Sequence, residues 1–327
     1  MAKRIEFSQY GDSHVLKYVD VDIALPNDDE IIVQNKAIGI NYIDTYVRSG
    51  LYPVPHLPSG LGTEGAGIVT QVGRNVTDFQ IGDRVAYCQS SLGAYSQYHN
   101  VNQNVLVKLP DAVSFEQAAA SMLKGLTVYY LLTQTYPLKA DEIFLFHAAA
   151  GGVGLIACQW SKIIGAKMIA TAGSAQKTAI AQQYGAWQTI NYHTQNVVQQ
   201  VMALTNGQKV NVVYDSVGKD TWLTSLDCLK RRGLMVSFGN ASGPVTDVNL
   251  AILNQKGSLY VTRPSLTGYM TNRAQLNTAA NQFFSHVANG AIKIEILPQQ
   301  TFALQDAAIA HQTIQRRDTI GSSILIP

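Results

Sequence analysis

Residues 144–160 read FLFHAAAGGVGLIACQW. An apolar run, 144–146, ends in the small residues Ala148-Ala149-Ala150-Gly151-Gly152-Val153-Gly154, and a helix-like pattern follows. A strand that passes through AxGxxG into a helix is the turn that cradles a dinucleotide's pyrophosphate. Gly151 lets the backbone approach the phosphates, and Gly154 lets the helix pack closely on the strand. The helix N-terminus turns unpaired N–H groups and a partial positive charge toward the anion. Ala149 stands where the usual fingerprint has its first glycine. Small-residue junctions also serve plain close packing, so the surrounding rhythm has to decide between the two readings.

That rhythm is strand, helix, strand, helix from about residue 140. Strand candidates are 142–147, 167–171, 188–191, 210–215, 234–238 and 258–262, with helix-length segments at 153–164, 175–184, 194–204, 219–230 and 247–255. Six strands with helical crossovers imply a parallel, doubly wound α/β sheet, and burial on both faces explains the apolar runs. Residues 1 to about 120 read differently. Short β-prone runs at 15–21 and 31–37 and glycine-punctuated runs at 62–73 and 82–87 suggest a small barrel or sandwich. Ser114-Phe115-Glu116-Gln117 has capping-box spacing ahead of the helical run 118–123. Beyond about 265 the character is mixed again, ending in the strand-like 323–326. The 327 residues suffice for about two domains.

Charged residues make up only 14% of the chain, which fits extensive burial, and the formal net charge is +2 with no long run of Lys or Arg. Nothing here points to a nucleic-acid or membrane surface, and no apolar stretch reaches the ~18 residues of a membrane span. Cys88, Cys158 and Cys228 are far apart, with no CxxC and no metal spacing. The expectation is a reduced, cytoplasmic protein whose thiols are buried as small hydrophobes. His147, ending a core strand, reads as structural.

The choice of dinucleotide rests on charge. A site for the unphosphorylated ribose normally carries Asp or Glu about 20 residues beyond the turn. Here that region reads Ala170-Thr171-Ala172-Gly173-Ser174-Ala175-Gln176-Lys177, and no acid occurs anywhere from Ile143 to Tyr214. A carboxylate would repel a 2′-phosphate. The Lys177 ammonium, the Ser174 hydroxyl beside Gly173, and Tyr192 after the third strand would hold one, so NADPH is the expected cofactor. Lys177 can alternatively be a solvated helix residue.

Several motifs in order now carry a resemblance: Gly39-Ile40-Asn41-Tyr42-Ile43-Asp44-Thr45-Tyr46, Gly50-Leu51-Tyr52-Pro53, Gly62-Thr63-Glu64-Gly65-Ala66-Gly67, Lys124-Gly125-Leu126-Thr127, the glycine turn, and Asp215-Ser216-Val217-Gly218. Over essentially its whole length the chain resembles the NADPH:quinone oxidoreductases (zeta-crystallin-like), a zinc-free branch of the medium-chain dehydrogenases/reductases. The resemblance implies a six-stranded Rossmann NADPH domain over 124–265 and a GroES-like irregular β-barrel domain over 1–123 plus 266–327. It implies quinone reduction in an interdomain cleft and, since relatives are commonly dimers or tetramers, an oligomer, expected here to be a homodimer.

It also assigns residues. Asn41, Asp44, Tyr46 and Tyr52 fall in the segment that lines the active site, and Asn41, Tyr46 and Tyr52 are suited to donate hydrogen bonds to an acceptor's oxygens. The competing roles are packing for the tyrosines and helix capping for Asn41 and Asp44. Cofactor contacts fall on Tyr42, Ile43, Thr45, Thr127, Tyr130, Gly151, Gly152, Val153, Ser216, Phe238, Gly239, Asn240, Pro264, Ser265 and Leu266. Arg263 and Arg317 are either anchors or ion-pair partners.

In the zinc alcohol dehydrogenases a Cys stands where this chain has Asn41, and a His where it has Thr63, so no zinc is expected. Without that Lewis acid, alcohol oxidation is disfavoured, while reduction of an already electrophilic acceptor remains feasible. The alternatives are an NADPH-dependent enone or alkenal double-bond reductase and, from another class, a crystallin-like structural or RNA-binding protein. A short-chain dehydrogenase would need Tyr-xxx-Lys, which does not occur, and Ser121-xx-Lys124 lacks the companion motifs of a serine nucleophile.

Overall fold

The computed structural model describes all residues, Met1–Pro327, which divide into two compact units: Met1–Leu126 with Met270–Pro327, and Thr127–Tyr269.

In chain order the first unit opens with β1 (Ala2–Phe7), β2 (Lys17–Val21), β3 (Glu30–Ile40), α1 (Tyr42–Ser49), β4 (Ser59–Gly60), β5 (Gly65–Val72), β6 (Arg84–Tyr87), β7 (Tyr98–Asn102) and β8 (Leu106–Lys108), before α2 (Phe115–Tyr130). The long β3 is its spine. Residues 31–34 pair with both β5 and β7, and Ile38 pairs with both β5 and β16 (Ser323–Ile326), so β7 and β16 share the edge opposite β5. Pairing is antiparallel throughout except for β16 with β15 (Thr301–Ala303). A small sheet, β2-β1-β4, completes the unit. Its core includes Ile5, Phe7, Ile38, Leu61, Tyr95, Leu304 and Leu325.

The second unit runs β9 (Ile143–Phe146), α3 (Gly152–Ile164), β10 (Lys167–Ala172), α4 (Ala175–Gln183), β11 (Gln188–Asn191), α5 (Val197–Leu204), β12 (Val210–Asp215), α6 (Trp222–Asp227), β13 (Leu229–Ser237), α7 (Ala251–Gln255), β14 (Tyr260–Thr262) and α8 (Leu266–Tyr269). The rest of the first unit supplies α9 (Arg273–Ala288) and α10 (Ala307–Gln315). All six strands of the second unit are parallel, in the order β11-β10-β9-β12-β13-β14. The chain winds outward from β9 one way, then outward from β12 the other, and ligands of such sheets bind beyond the strand ends where the order reverses.

The expected strands and helices are present, with boundary corrections. The capping box is made: Ser114 Oγ accepts the Gln117 N–H at 3.1 Å and Gln117 Oε1 accepts the Ser114 N–H at 3.0 Å. The run at 15–21 is split, because the Asp12 side chain accepts the His14 N–H and draws 13–15 into a tight turn. The helix expected at 194–204 starts at Val197, capped by Asn196. The one expected at 219–230 shrinks to Trp222–Asp227, because Lys219 and Asp220 donate their N–H groups to the Gly243 carbonyl at 3.1 Å and to Ser242 Oγ at 3.0 Å instead. The one expected at 247–255 shrinks to Ala251–Gln255. The strand expected at 234–238 reaches back to Leu229 through a left-handed Arg232. All three thiols are buried and unpaired by disulfides, and no helix is long and apolar enough to cross a membrane.

Candidate functional site

In the second unit the reversal lies between β9 and β12. Beyond β9, Ala148 adopts a left-handed conformation (φ 55°) and Ala149 donates its N–H to the Thr171 carbonyl at 3.0 Å. Gly151 is the N-cap of α3 and brings no side-chain oxygen to the first-turn N–H groups of Gly152 and Val153. The two key glycines differ in what they face. A Cβ on Gly154 would stand 2.5 Å from the Ala149 backbone, whereas on Gly151 it would meet only the Ala148 carbonyl oxygen, at 3.4 Å. Helix packing therefore demands glycine at 154, and the protein itself leaves Gly151 open. An uncapped helix start beside open space suits a pyrophosphate, so the turn fits the dinucleotide.

A buried chain of hydrogen bonds supports this edge. Ser225 donates to Asp215 Oδ2 at 2.6 Å, so its oxygen receives the proton of His147 Nε2 at 3.0 Å, and His147 Nδ1 accepts from Thr171 Oγ1 at 2.9 Å. Asp215 Oδ1 accepts the N–H groups of Val217 and Gly218 at 2.8 and 3.0 Å. The network ties the ends of β9, β10 and β12, and burial pushes the His147 pKa down, favouring the neutral ring. His147 has the structural role read from the sequence.

Beyond β10 and β11, Gly173, Ser174, Lys177 and Tyr192 come together. Ser174 caps α4 by accepting the Lys177 N–H at 3.2 Å, and a Cβ on Gly173 would stand 2.6 Å from Tyr192 Oη. Beyond β12 and β13, Gly239 packs on Ser216, where a Cβ would meet the Ser216 carbonyl oxygen at 2.4 Å. Phe238 donates its N–H to the Asp215 carbonyl, and Asn240 follows in the same loop. Past β14, Pro264 leads to Ser265, whose Oγ accepts the Gly268 N–H at 3.3 Å, and to the buried Leu266. Arg263 donates to the Ser237 carbonyl at 2.8 Å, a local tie between strand ends. Thr127 and Tyr130 lie in α2, both buried, with the Tyr130 ring stacked on Tyr269 at 4.5 Å.

The first unit presents α1. Its buried stripe is Asn41, Asp44, Thr45 and Arg48, the i, i+3, i+4, i+7 positions that an ordinary amphipathic helix fills with apolar residues. Asn41 and Asp44 both have capping work: Asp44 Oδ2 accepts the Asn41 N–H at 2.8 Å. The Asn41 amide donates to Glu64 Oε2 at 2.6 Å. Glu64 is fully buried; its other oxygen accepts the Leu123 N–H at 2.6 Å, and the Lys124 ammonium stands 3.8 Å away while donating to the Ile40 carbonyl. Burial pushes Glu64 up and Lys124 down, and each opposes the shift of the other. Lys124 is thus an ion-pair partner, while Ser121 bonds its own helix.

The half-buried tyrosines lie on the other side of α1. Tyr46 meets Tyr52 edge-on at 5.4 Å and Tyr42 at 6.0 Å. The Tyr42 hydroxyl donates to the Ile314 carbonyl and is partnered by Arg317, Thr45 bonds the Tyr42 carbonyl, and Ile43 is exposed. Sequence reasoning gave no role to Lys124, Arg48, Tyr95 or His311. The polar stripe of α1 was the signal that could have raised Arg48; Tyr95 and His311 carry none, since only folding brings them to α1.

Zinc does not fit this donor set. An amide, a carboxylate already held by an ammonium and two hydrogen bonds, and Thr63 replace the thiolate and imidazole ligands that zinc requires, and no three His, Cys, Asp or Glu side chains converge anywhere.

Residues 27–111 match the alcohol dehydrogenase GroES-like domain, and residues 152–285 match the zinc-binding dehydrogenase family. The chain is 63% identical to a quinone oxidoreductase of Salmonella typhimurium and 58% identical to one of Pseudomonas aeruginosa, each over 100% of both chains. It superposes with a TM-score of 0.99 on the crystal structure of Escherichia coli quinone oxidoreductase complexed with NADPH, at 62% identity and 100% coverage of both. With its GroES-like unit, its six-stranded doubly wound unit and these full-length relatives, the chain belongs to the quinone oxidoreductase family of the medium-chain dehydrogenases/reductases.

Proposed function

We propose that this chain is an NADPH-dependent quinone reductase that works without zinc. The observation that carries the reading is the pairing of an uncapped glycine turn at the β9 edge with an acid-free, lysine-bearing edge beyond β10. When bound, the dinucleotide supplies the reducing equivalents. The protein's part is to bind, orient and exclude water. The first-turn N–H groups at Gly152 and Val153 meet the pyrophosphate. Lys177 and Tyr192, with the Ser174 hydroxyl, meet the 2′-phosphate, and a charge-assisted bond there is worth roughly 1.5–3 kcal/mol. Asn41, Tyr46 and Tyr52 donate to the acceptor's oxygens. Asp44 acts through α1. Tyr42, Ile43, Thr45, Thr127, Tyr130, Ser216, Phe238, Gly239, Asn240, Pro264, Ser265, Leu266 and Arg317 complete the proposed cofactor surroundings. The reading includes a homodimer, and a cytoplasmic setting supported by three buried thiols.

The test is loss of nicotinamide absorbance when purified protein, freed of metal by a chelator, meets NADPH with a panel of quinones and conjugated enones. Quinone-dependent oxidation with a strong preference over NADH is expected. Turnover of enones alone would favour the double-bond reductase, and no oxidation together with tight RNA retention in a gel shift would overturn the enzyme reading.

A further inference from the structure

The polar anchoring of α1 continues well beyond its own residues. Arg48 Nη1 lies 3.2 Å from His311 Nδ1, His311 Nε2 lies 3.1 Å from the Tyr95 hydroxyl, and that hydroxyl donates to Asp44 Oδ2 at 2.8 Å. Arginine can only donate, so His311 Nδ1 accepts. The Tyr95 proton is committed to Asp44, so His311 Nε2 carries the proton that Tyr95 receives. Each atom has one role, and the chain has one direction: Arg48 to His311 to Tyr95 to Asp44. Arg48 and Asp44 are each 1% exposed, and Tyr95 and His311 are fully buried. Arg48 is further held by the Gly11 carbonyl and by Gln315 of α10, both at 3.2 Å.

A helix seated on an apolar stripe can rotate or slide at small cost, because the hydrophobic effect is not directional. Hydrogen bonds have narrow angular and distance tolerances. We propose that Tyr95 and His311 are positioning residues for the electron acceptor, fixing the rotation and register of α1 through Asp44 so that Asn41, Tyr46 and Tyr52 hold their donors in place. This rests on the reading that those three residues handle the acceptor. Neither Tyr95 nor His311 touches the reacting groups; they act only through the helix.

The test uses the full chain with 1,4-benzoquinone as acceptor. Tyr95→Phe removes the hydroxyl that links His311 to Asp44, and His311→Leu removes the whole middle of the chain. His311→Gln restores an acceptor for Arg48 and a donor for Tyr95. The broken-chain variants are expected to raise the quinone KM at least fivefold and the NADPH dissociation constant by less, because α1 carries Tyr42, Ile43 and Thr45 as well as the acceptor's donors, and His311→Gln to return KM to within twofold. A KM unmoved in folded Tyr95→Phe and His311→Leu overturns the proposal, as does an equal weakening of NADPH.

Should both broken-chain variants fail to fold, the wild type carries the test. Asp44 is faced by Tyr95, the Asn41 N–H, Glu64 and Lys124, and burial raises its pKa to about 7. Protonation weakens both bonds it accepts, so the quinone KM rises as pH falls through that value; a flat KM from pH 6 to 9 overturns the proposal. Wild-type protein that turns over no quinone overturns the functional reading itself, whereas wild-type turnover with indifferent variants overturns only the positioning role.

Discussion

Gly154 packs so tightly on Ala149 that a methyl group added to it would stand 2.5 Å from the Ala149 Cα, while a methyl group on Gly151, in the same turn, would meet nothing closer than 3.4 Å. One glycine serves the fold and the other leaves room for a ligand. Gly154→Ala is expected to cost roughly 3 kcal/mol, the upper end of ordinary overpacking, because the obstructing atoms are backbone. Gly151→Ala, at φ −79°, suits any residue and should leave the melting temperature nearly unchanged while weakening NADPH at least tenfold. Thermal melts and calorimetry separate the two, and a Gly151→Ala protein that binds NADPH normally would remove the pyrophosphate assignment.

Lys177 is the charge assigned to the 2′-phosphate. Lys177→Ala should weaken NADPH by about ten- to a hundredfold, the value of one charge-assisted hydrogen bond, and leave NADH nearly unchanged. Titration calorimetry with both nucleotides reads this directly. An equal loss for the two would return Lys177 to the solvated face of α4.

His311 supplies a pH signature. Burial, then the neighbouring Arg48 charge, lowers its pKa from 6.5 to about 3. The unfolded chain takes up a proton near pH 6.5 and the folded chain does not, so the stability contribution of His311 is complete above 6.5 and is lost as pH falls toward 3. Between pH 7.5 and 5 that loss is about 2 kcal/mol. His99, lowered to about 4, and His147 act in the same sense. Asp44, raised to about 7, acts oppositely, because its folded state binds the proton more tightly. Urea denaturation at the two pH values should therefore show His311→Gln losing about 2 kcal/mol less than wild type on acidification, and identical losses would contradict a neutral buried His311.

Much of the second unit was legible because local rules agree with global ones there. Runs of apolar residues mark strands buried on both faces, and β11 and β12 begin and end where composition places them. Misplaced boundaries, as at α6, arose where a group from elsewhere decided the backbone: the Gly243 carbonyl and the Ser242 hydroxyl take the N–H groups of Lys219 and Asp220 and hold them out of the helix. The proposed cofactor residues beyond β12 to β14 were named by the family resemblance, and they agree with the rule that a parallel sheet delivers successive strand ends to one edge.

By itself the sequence determined the doubly wound unit, the glycine turn, the missing acid and the capping box, since each depends on residues within a few positions or on a regular repeat. Only the tertiary structure decided what seats α1. Tyr95 and His311 lie 51 and 267 residues from Asp44 in the chain, and neither has a local pattern that foretells the meeting. Hydrogen bonds between buried groups at such separations are set by how sheet and helices close on one another, and no periodicity along the chain encodes that closure.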